Sequence, residues 1–201
     1  TNAYALLTGK MQIQPTIQCA VFKGTTRSIF IDKKEYTGPI YRQIDEAYQF
    51  VLRNIKLGAK IKGLVRVDSY EILVDSIREL IINAVTHRSY LDEGCVQIAI
   101  FDDRIEITSP GMLFGGLSIE DIKAGQSRPR NRAIAAAFSA MKLIEQWGSG
   151  IPRVIEECKE YGLKEPELIE LGINFRVNIY RPSEEQNEVV LTQKKKCRRW
   201  R

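Results

Sequence analysis

The stretch Glu79-Leu80-Ile81-Ile82-Asn83-Ala84-Val85-Thr86-His87-Arg88 decides the reading of this chain. It lies inside an apolar pattern of helical period that runs from about residue 70 to residue 90. At about 100° per residue, Leu73, Ile77, Leu80, Ile81 and Ala84 fall on one side and predict a buried stripe. Glu79, Asn83 and His87 succeed one another at every fourth position on a neighbouring stripe, with Ser76 just before them. A carboxylate and a carboxamide one turn apart can face the same small ligand. The amide oxygen of Asn83 suits a divalent cation, and the carboxylate of Glu79 suits a base that orients water. The same spacing also serves a half-exposed polar stripe beside a core face.

Working outward, residues 16–22 and Ile29-Phe30-Ile31 alternate around the turn Lys23-Gly24-Thr25-Thr26 and predict an antiparallel pair. Helical spacing predicts a helix from Ile40 to about Leu57, with Pro39 in its first turn and Gly58 as its stop. Residues 60–68 read as one strand. Downstream, residues 95–101 and 104–108 predict a hairpin about Asp102-Asp103, followed by a glycine-rich loop over 109–116. Ser118 is a good N-cap with Asp121 at the third helical position. A helix is expected over 131–144, a second one over 151–161 stopped by Gly162, and a closing strand over 175–180. Hairpins mixed with helices predict an α+β two-layer sandwich rather than a doubly wound parallel sheet.

Composition narrows the function classes. With 201 residues, 44% of them hydrophobic, the chain can build a real core. No apolar run approaches the ~18 residues of a membrane span, so no membrane partner is expected. Cys19, Cys95, Cys158 and Cys197 show no C-x-x-C spacing, which argues against a zinc ribbon or a disulfide framework and predicts a cytoplasmic protein with reduced thiols. His87 is the single histidine, which excludes a His-rich metal site. The net charge of +5 is concentrated at one end, because residues 194–201 carry six Lys and Arg and no acid. Taking those six from the 30 basic residues leaves 24 against 25 acids, a net charge of −1. A broad phosphate-binding face is therefore not indicated. The tail can hold nucleic acid nonspecifically, with Trp200 stacking, or be a disordered end or an altered reading frame. The chain opens on Thr1, which predicts a piece of a longer protein.

No G-x-x-x-x-G-K-[ST] loop occurs. Gly148-Ser149-Gly150, directly before a helix, can cradle a phosphate through backbone N–H groups or simply make a turn. The order of parts is more specific. An acid-x-x-x-Asn-Ala helix, a hairpin ending in a glycine loop, a variable segment and then G-x-G opening a helix resemble the GHKL (Bergerat) ATP-binding fold. That superfamily includes gyrase, MutL, heat-shock chaperones and sensor histidine kinases. The resemblance implies a mixed, mostly antiparallel sheet with helices on one face. It makes Glu79 the water-activating base and Asn83 the Mg²⁺ ligand. Ser109 and Gly111 fall on the first glycine box, which contacts adenine. Gly148, Ser149 and Gly150 fall on the second, near the phosphates of ATP, and residues 112–147 become the lid. His87 and Arg88 would reach the lid or a phosphate. Arg128, Arg130 and Arg132 would clamp a phosphate, or else meet solvent or a carboxylate such as Asp102 or Glu145.

Within that fold, INAVTHRSY, IFDDRIEITSPG, the RNR of the lid and LIEQWGSGIPRVIEEC with FRVNIY are similar to one bacterial and archaeal group. These are the AlbA/Schlafen-type transcriptional regulators, often labelled RecG-like ATP-dependent DNA helicases. The resemblance implies a smaller connecting α/β segment over 1–68 that follows an AlbA-type domain, the GHKL-like domain over 69–182, and a basic tail over 183–201. It implies a nucleotide-binding regulatory module, at most a slow ATPase, with DNA bound through other domains and a homodimer as one arrangement. A helicase motor is not expected. The alternative is a degenerate fold serving as a dimerisation or interaction scaffold. Ser109-Pro110 stands where the group's adenine-reading aspartate belongs, and a serine hydroxyl is a weaker acceptor that can also donate.

Overall fold

A computed structural model describes residues 2–11, 15–62, 65–144 and 148–182, with only the backbone described for 59–62 and 65–69. The tail expected over 183–201, and residues 145–147 ahead of the second glycine loop, lie outside the described residues. The elements in chain order are α1 (Asn2–Thr8), β1 (Ile17–Phe22), β2 (Phe30–Tyr36), α2 (Ile40–Asn54), β3 (Leu57–Lys62), β4 (Val65–Tyr70) and α3 (Val74–His87). They continue with β5 (Val96–Ile100), β6 (Arg104–Pro110), α4 (Ile119–Lys123), α5 (Arg132–Ala140), α6 (Gly150–Glu160), β7 (Glu167–Leu171) and β8 (Asn174–Tyr180).

Six strands form one sheet in the order β2-β1-β5-β6-β8-β7, and β3 with β4 makes a separate hairpin. Every neighbour pair in the large sheet is antiparallel except β1 with β5, whose parallel register sets Ile17 beside Val96. The order of elements predicts this α+β class, and the resemblance implies the mixed, mostly antiparallel sheet. Its first two strands come from the stretch ahead of residue 68 and its other four from the stretch behind it.

Period-two alternation decides which side of the sheet the helices cover. Val96, Ile98 and Ile100 of β5, with Ile105 and Ile107 of β6, join Ile77, Leu80 and Ile81 of α3 in one buried core. Burying an Ile or Leu side chain is worth roughly 1.5–3 kcal/mol. The apolar stripe of α3 therefore fixes the helix's rotation, and the polar stripe beside it goes where that rotation sends it. On the opposite side, β6 turns Glu106 inward to 4% exposure, held by Arg27, Arg104 and Arg176.

Three local expectations change. The helix α2 ends at Asn54, where Ile55 is already extended, and Gly58 lies in β3 instead of stopping the helix. The single strand expected over 60–68 is the hairpin β3–β4, running from Leu57 opposite Tyr70 to Lys62 opposite Val65. Alternation has no direction, so a strand and its reversal read alike. Strand β7 has no counterpart in the sequence reading. Only Leu168 is buried along this edge strand, so almost no alternation survives in its sequence. The hairpin β5–β6 forms where predicted. Ser118 caps α4 in a full capping box, its hydroxyl accepting from Asp121 N while Asp121 accepts from the Ser118 N–H.

Candidate functional site

A cavity of about 360 Å³ lies between α3, the end of β6, the segment 111–136 and the start of α6. Its wall contains Glu79, Asn83 and His87 of α3, Ser109 and Gly111 at the end of β6, and Gly148 and Gly150 of the second glycine loop. These seven residues, all singled out from the sequence, thus meet around one space. Apolar side chains complete it, among them Leu80, Ile107, Leu113, Ile122, Phe175 and Val177.

Arg88 and Ser149 are not among the lining residues. Arg88 is 3% exposed, donates to the carbonyls of Gly94 (2.5 Å) and Asp92 (3.2 Å), and lies 4.9 Å from the centre of the Tyr90 ring. It pins the loop from α3 into β5 rather than facing a ligand. Ser149 occupies the N-cap of α6, and its side chain makes no capping hydrogen bond.

The polar centre of the site is the contact of α3 with α6. Glu79 Oε1 accepts from Asn83 Nδ2 at 3.2 Å, and Glu79 Oε2 accepts from Arg153 at 2.9 Å. The Glu79 side chain is 13% exposed, so its charge is largely withdrawn from water and needs these partners. Gly150 makes the approach possible, because a Cβ at this position would stand 2.1 Å from Glu79 Oε1. One turn further on, Ser76 Oγ donates to Glu157 at 2.5 Å and extends the same seam between the helices.

The segment over the cavity is tied to the C-terminal end of α3. The last carbonyls of a helix lack intrahelical partners. Asn131 Nδ2 donates to Thr86 O at 2.9 Å and Arg88 O at 2.8 Å, while Arg130 Nε donates to His87 O at 3.2 Å. A cation there also meets the negative end of the helix dipole. Arg130 reaches on to Met112 O (2.6 Å) and lies 4.9 Å from the centre of the Phe114 ring, and Arg128 donates to Gly115 O at 2.9 Å. Two of the arginines expected to clamp a phosphate therefore hold the covering segment's own backbone. Arg128 and Arg132 also line the cavity. Burial, and secondarily the charge of Arg130, hold His87 below its ordinary value, so the imidazole in the wall is biased toward its neutral form.

Gly111 (φ +104°) and Gly148 (φ +70°) both sit in the left-handed region that favours glycine. A Cβ on Gly148 would stand 2.1 Å from Gly125 O, so the second glycine loop packs backbone to backbone under the covering segment.

Arg153, Asn131 and the buried hydroxyl of Thr86 are the site residues that sequence reasoning did not single out. The only forewarning of Arg153 was Glu79 itself, an acid on a half-buried stripe that requires a cation. Among the described residues no cluster of three or more His, Cys, Asp or Glu could hold a metal ion, and no helix is long and apolar enough to cross a membrane.

Residues 94–179 match the family model described as "Putative ATP-dependent DNA helicase recG C-terminal". This part of the chain is similar to an ATPase-like domain. The match takes in β5, β6, the covering segment, α6 and β8, and begins after α3. No curated protein matches the chain. Among solved structures, the chain is similar to the DIP2311 protein from Corynebacterium diphtheriae, with a TM-score of 0.81 at 20% identity. That alignment covers 90% of this chain and 37% of the other, so the chain spans little more than a third of its structural relative. At that identity the likeness concerns the fold.

Proposed function

We propose that the cavity binds a nucleotide, with ATP as the ligand, and that the chain is the ATPase-like regulatory module of a longer DNA-binding transcriptional regulator. One observation carries this reading. Glu79 and Asn83 of α3, the end of β6 and the second glycine loop, drawn from three separate stretches of sequence, surround one largely apolar cavity. An apolar wall suits a purine ring, and a glycine-led helix start with Arg128 and Arg132 nearby suits phosphate. The similarity of residues 94–179 to an ATPase-like domain supports it.

Mg²⁺ belongs to the same proposal through Asn83, whose Oδ1 is the oxygen left once Nδ2 donates to Glu79. Around that pair the chain offers a metal this single carboxamide oxygen, with phosphate and water to complete the shell. DNA binding and dimer formation are assigned to the longer protein.

Thermal unfolding of the chain with millimolar Mg-ATP, Mg-ADP or Mg-GTP tests the reading. A ligand at about a hundred times its dissociation constant adds about 2.7 kcal/mol to stability, a shift of several degrees. Asn83→Ala is expected to remove most of it. Absence of a shift with every nucleotide overturns the proposal. It would favour the scaffold reading, to which Ser109 in place of an acid at the base end already lends support.

A further inference from the structure

We infer that the cavity meets the edge of a purine with groups that both donate and accept, so that it takes 6-oxo purine nucleotides as well as ATP. The inference rests on the nucleotide reading and adds to it which bases the site admits.

The base end is the end of β6. Period-two alternation sends Ile105 and Ile107 to the helix side, where they pack with α3, and Ser109 follows them there. Pairing with β8 sets Ser109 opposite Phe175 and Ile107 opposite Val177, and all four residues line the cavity. Ser109 is the polar member of that group. It is 6% exposed, and among the described residues its hydroxyl has no hydrogen-bond partner. The hydroxyl is therefore left to the ligand.

The 6-position separates the purines. Adenine carries an amino group there, which donates, beside a bare N1, which accepts, and a 6-oxo purine reverses both. An ionised carboxylate only accepts, so it pairs with the first edge and repels the second. A site that strands a buried polar group on the wrong ligand discriminates by about 10⁴ or more. A serine hydroxyl has one donor and two acceptor sites on a rotor and pairs with either edge. Among the described residues Glu79 is the one carboxylate in the cavity wall, and it lies against Gly150 at the second glycine loop, bonded to Arg153 and Asn83. Thr86, His87, Gln126 and Ser127 also line the cavity, and each side chain has both a donor and an acceptor, His87 because burial favours its neutral form. The donor-only side chains of the wall, Arg128 and Arg132, are those assigned to phosphate. Neither purine edge thus meets a group that must refuse it.

The test is calorimetric titration of ATP and inosine triphosphate into the chain in millimolar Mg²⁺, for the wild type, Ser109→Ala and Ser109→Asp. Inosine triphosphate differs from ATP in the 6-oxo edge alone, so the pair isolates that position. Wild-type affinities are expected within about fivefold of each other, the span of one ordinary hydrogen bond. Ser109→Ala should weaken both ligands alike, by about threefold to tenfold. Ser109→Asp should retain ATP and weaken inosine triphosphate by about tenfold or more, because a fixed acceptor then faces O6. A wild-type preference beyond fivefold for either ligand overturns the inference and leaves the nucleotide reading standing. An unchanged ratio in Ser109→Asp, or a loss confined to one ligand in Ser109→Ala, does the same. Binding of neither ligand by the wild type overturns the nucleotide reading and this inference with it. The wild-type ratio needs no variant, so a folding defect at position 109 cannot mask the answer.

Discussion

Gly150 and Glu79 are in direct contact across the α3–α6 seam, where a Cβ on Gly150 would stand 2.1 Å from Glu79 Oε1 and 3.3 Å from Asn83 Nδ2. The obstructing atom is the tip of a flexible side chain, so Gly150→Ala has a way out. The carboxylate swings aside and leaves Arg153 and Asn83. The expected cost in folding stability is about 1 kcal/mol or less, because Ala also gains helix propensity over Gly. Nucleotide binding is expected to fall sharply. In a Glu79→Ala background the same substitution should become neutral or stabilising. Equal penalties in the two backgrounds, measured by urea denaturation, would show that the contact does not govern the site.

Gly148 behaves differently, because its obstruction is backbone. A Cβ there would meet Gly125 O at 2.1 Å, and φ is +70°. Left-handed strain and overpacking together predict a loss of about 2–4 kcal/mol for Gly148→Ala. A loss below that of Gly150→Ala in the same denaturation series would contradict the packing described.

Asn131 holds two carbonyls at the end of α3, at 2.9 and 2.8 Å. Asn131→Ala removes both bonds at once and is expected to cost about 1–3 kcal/mol. The loss should be local, with the segment over the cavity exchanging its amide hydrogens faster while the central strands keep their protection. Uniform acceleration across the sheet would refute a local role.

His87 gives stability a pH dependence of definite sign. Burial, then Arg130, lowers its pKa from the ordinary 6.5, so below that pH the unfolded chain binds the extra proton more readily. Its contribution is complete above about 6.5 and is lost as pH falls from there through the folded value. The chain has one histidine, so the difference between wild type and His87→Gln in stability across that window isolates its effect from that of the carboxylates. His87→Gln should flatten the slope, and an unchanged slope would rule His87 out as its source.

Glu106 anchors the face of the sheet away from the helices. Burial pushes its pKa up, but hydrogen bonds from Arg27 and Arg104 and the charge of Arg176 outweigh this and hold it below the ordinary 4.5. Its stabilisation is present above that value and lost as pH falls through the folded one. Glu106→Gln is expected to cost about 2–3 kcal/mol near neutrality, less than a fully buried pair because the arginines are partly exposed. The variant should also lose less stability than the wild type on acidification below about pH 5. Equal acid sensitivity would contradict this assignment.

The sequence by itself determined the elements whose pattern is local. The apolar stripe of α3 fixed which way Glu79, Asn83 and His87 would face. The alternation of β5 and β6 around Asp102-Asp103 announced their hairpin, and Ser118 with Asp121 announced the cap of α4. Each of these needs only neighbours within a turn or a strand pair, and such neighbours are written in the spacing of residues. Tertiary structure alone decided that Arg153 neutralises Glu79 and that Asn131 caps α3. It also decided that Arg88 turns inward to the loop after its helix, and that β1 enters the sheet parallel to β5. Except for Arg88, whose partners are the backbone carbonyls of Asp92 and Gly94 just beyond its helix, those contacts join residues far apart in sequence, and a charged side chain carries no periodic signal of the partner it will meet. Helix rotation and packing choose that partner, and they are set by the whole core rather than by any one stretch of the chain.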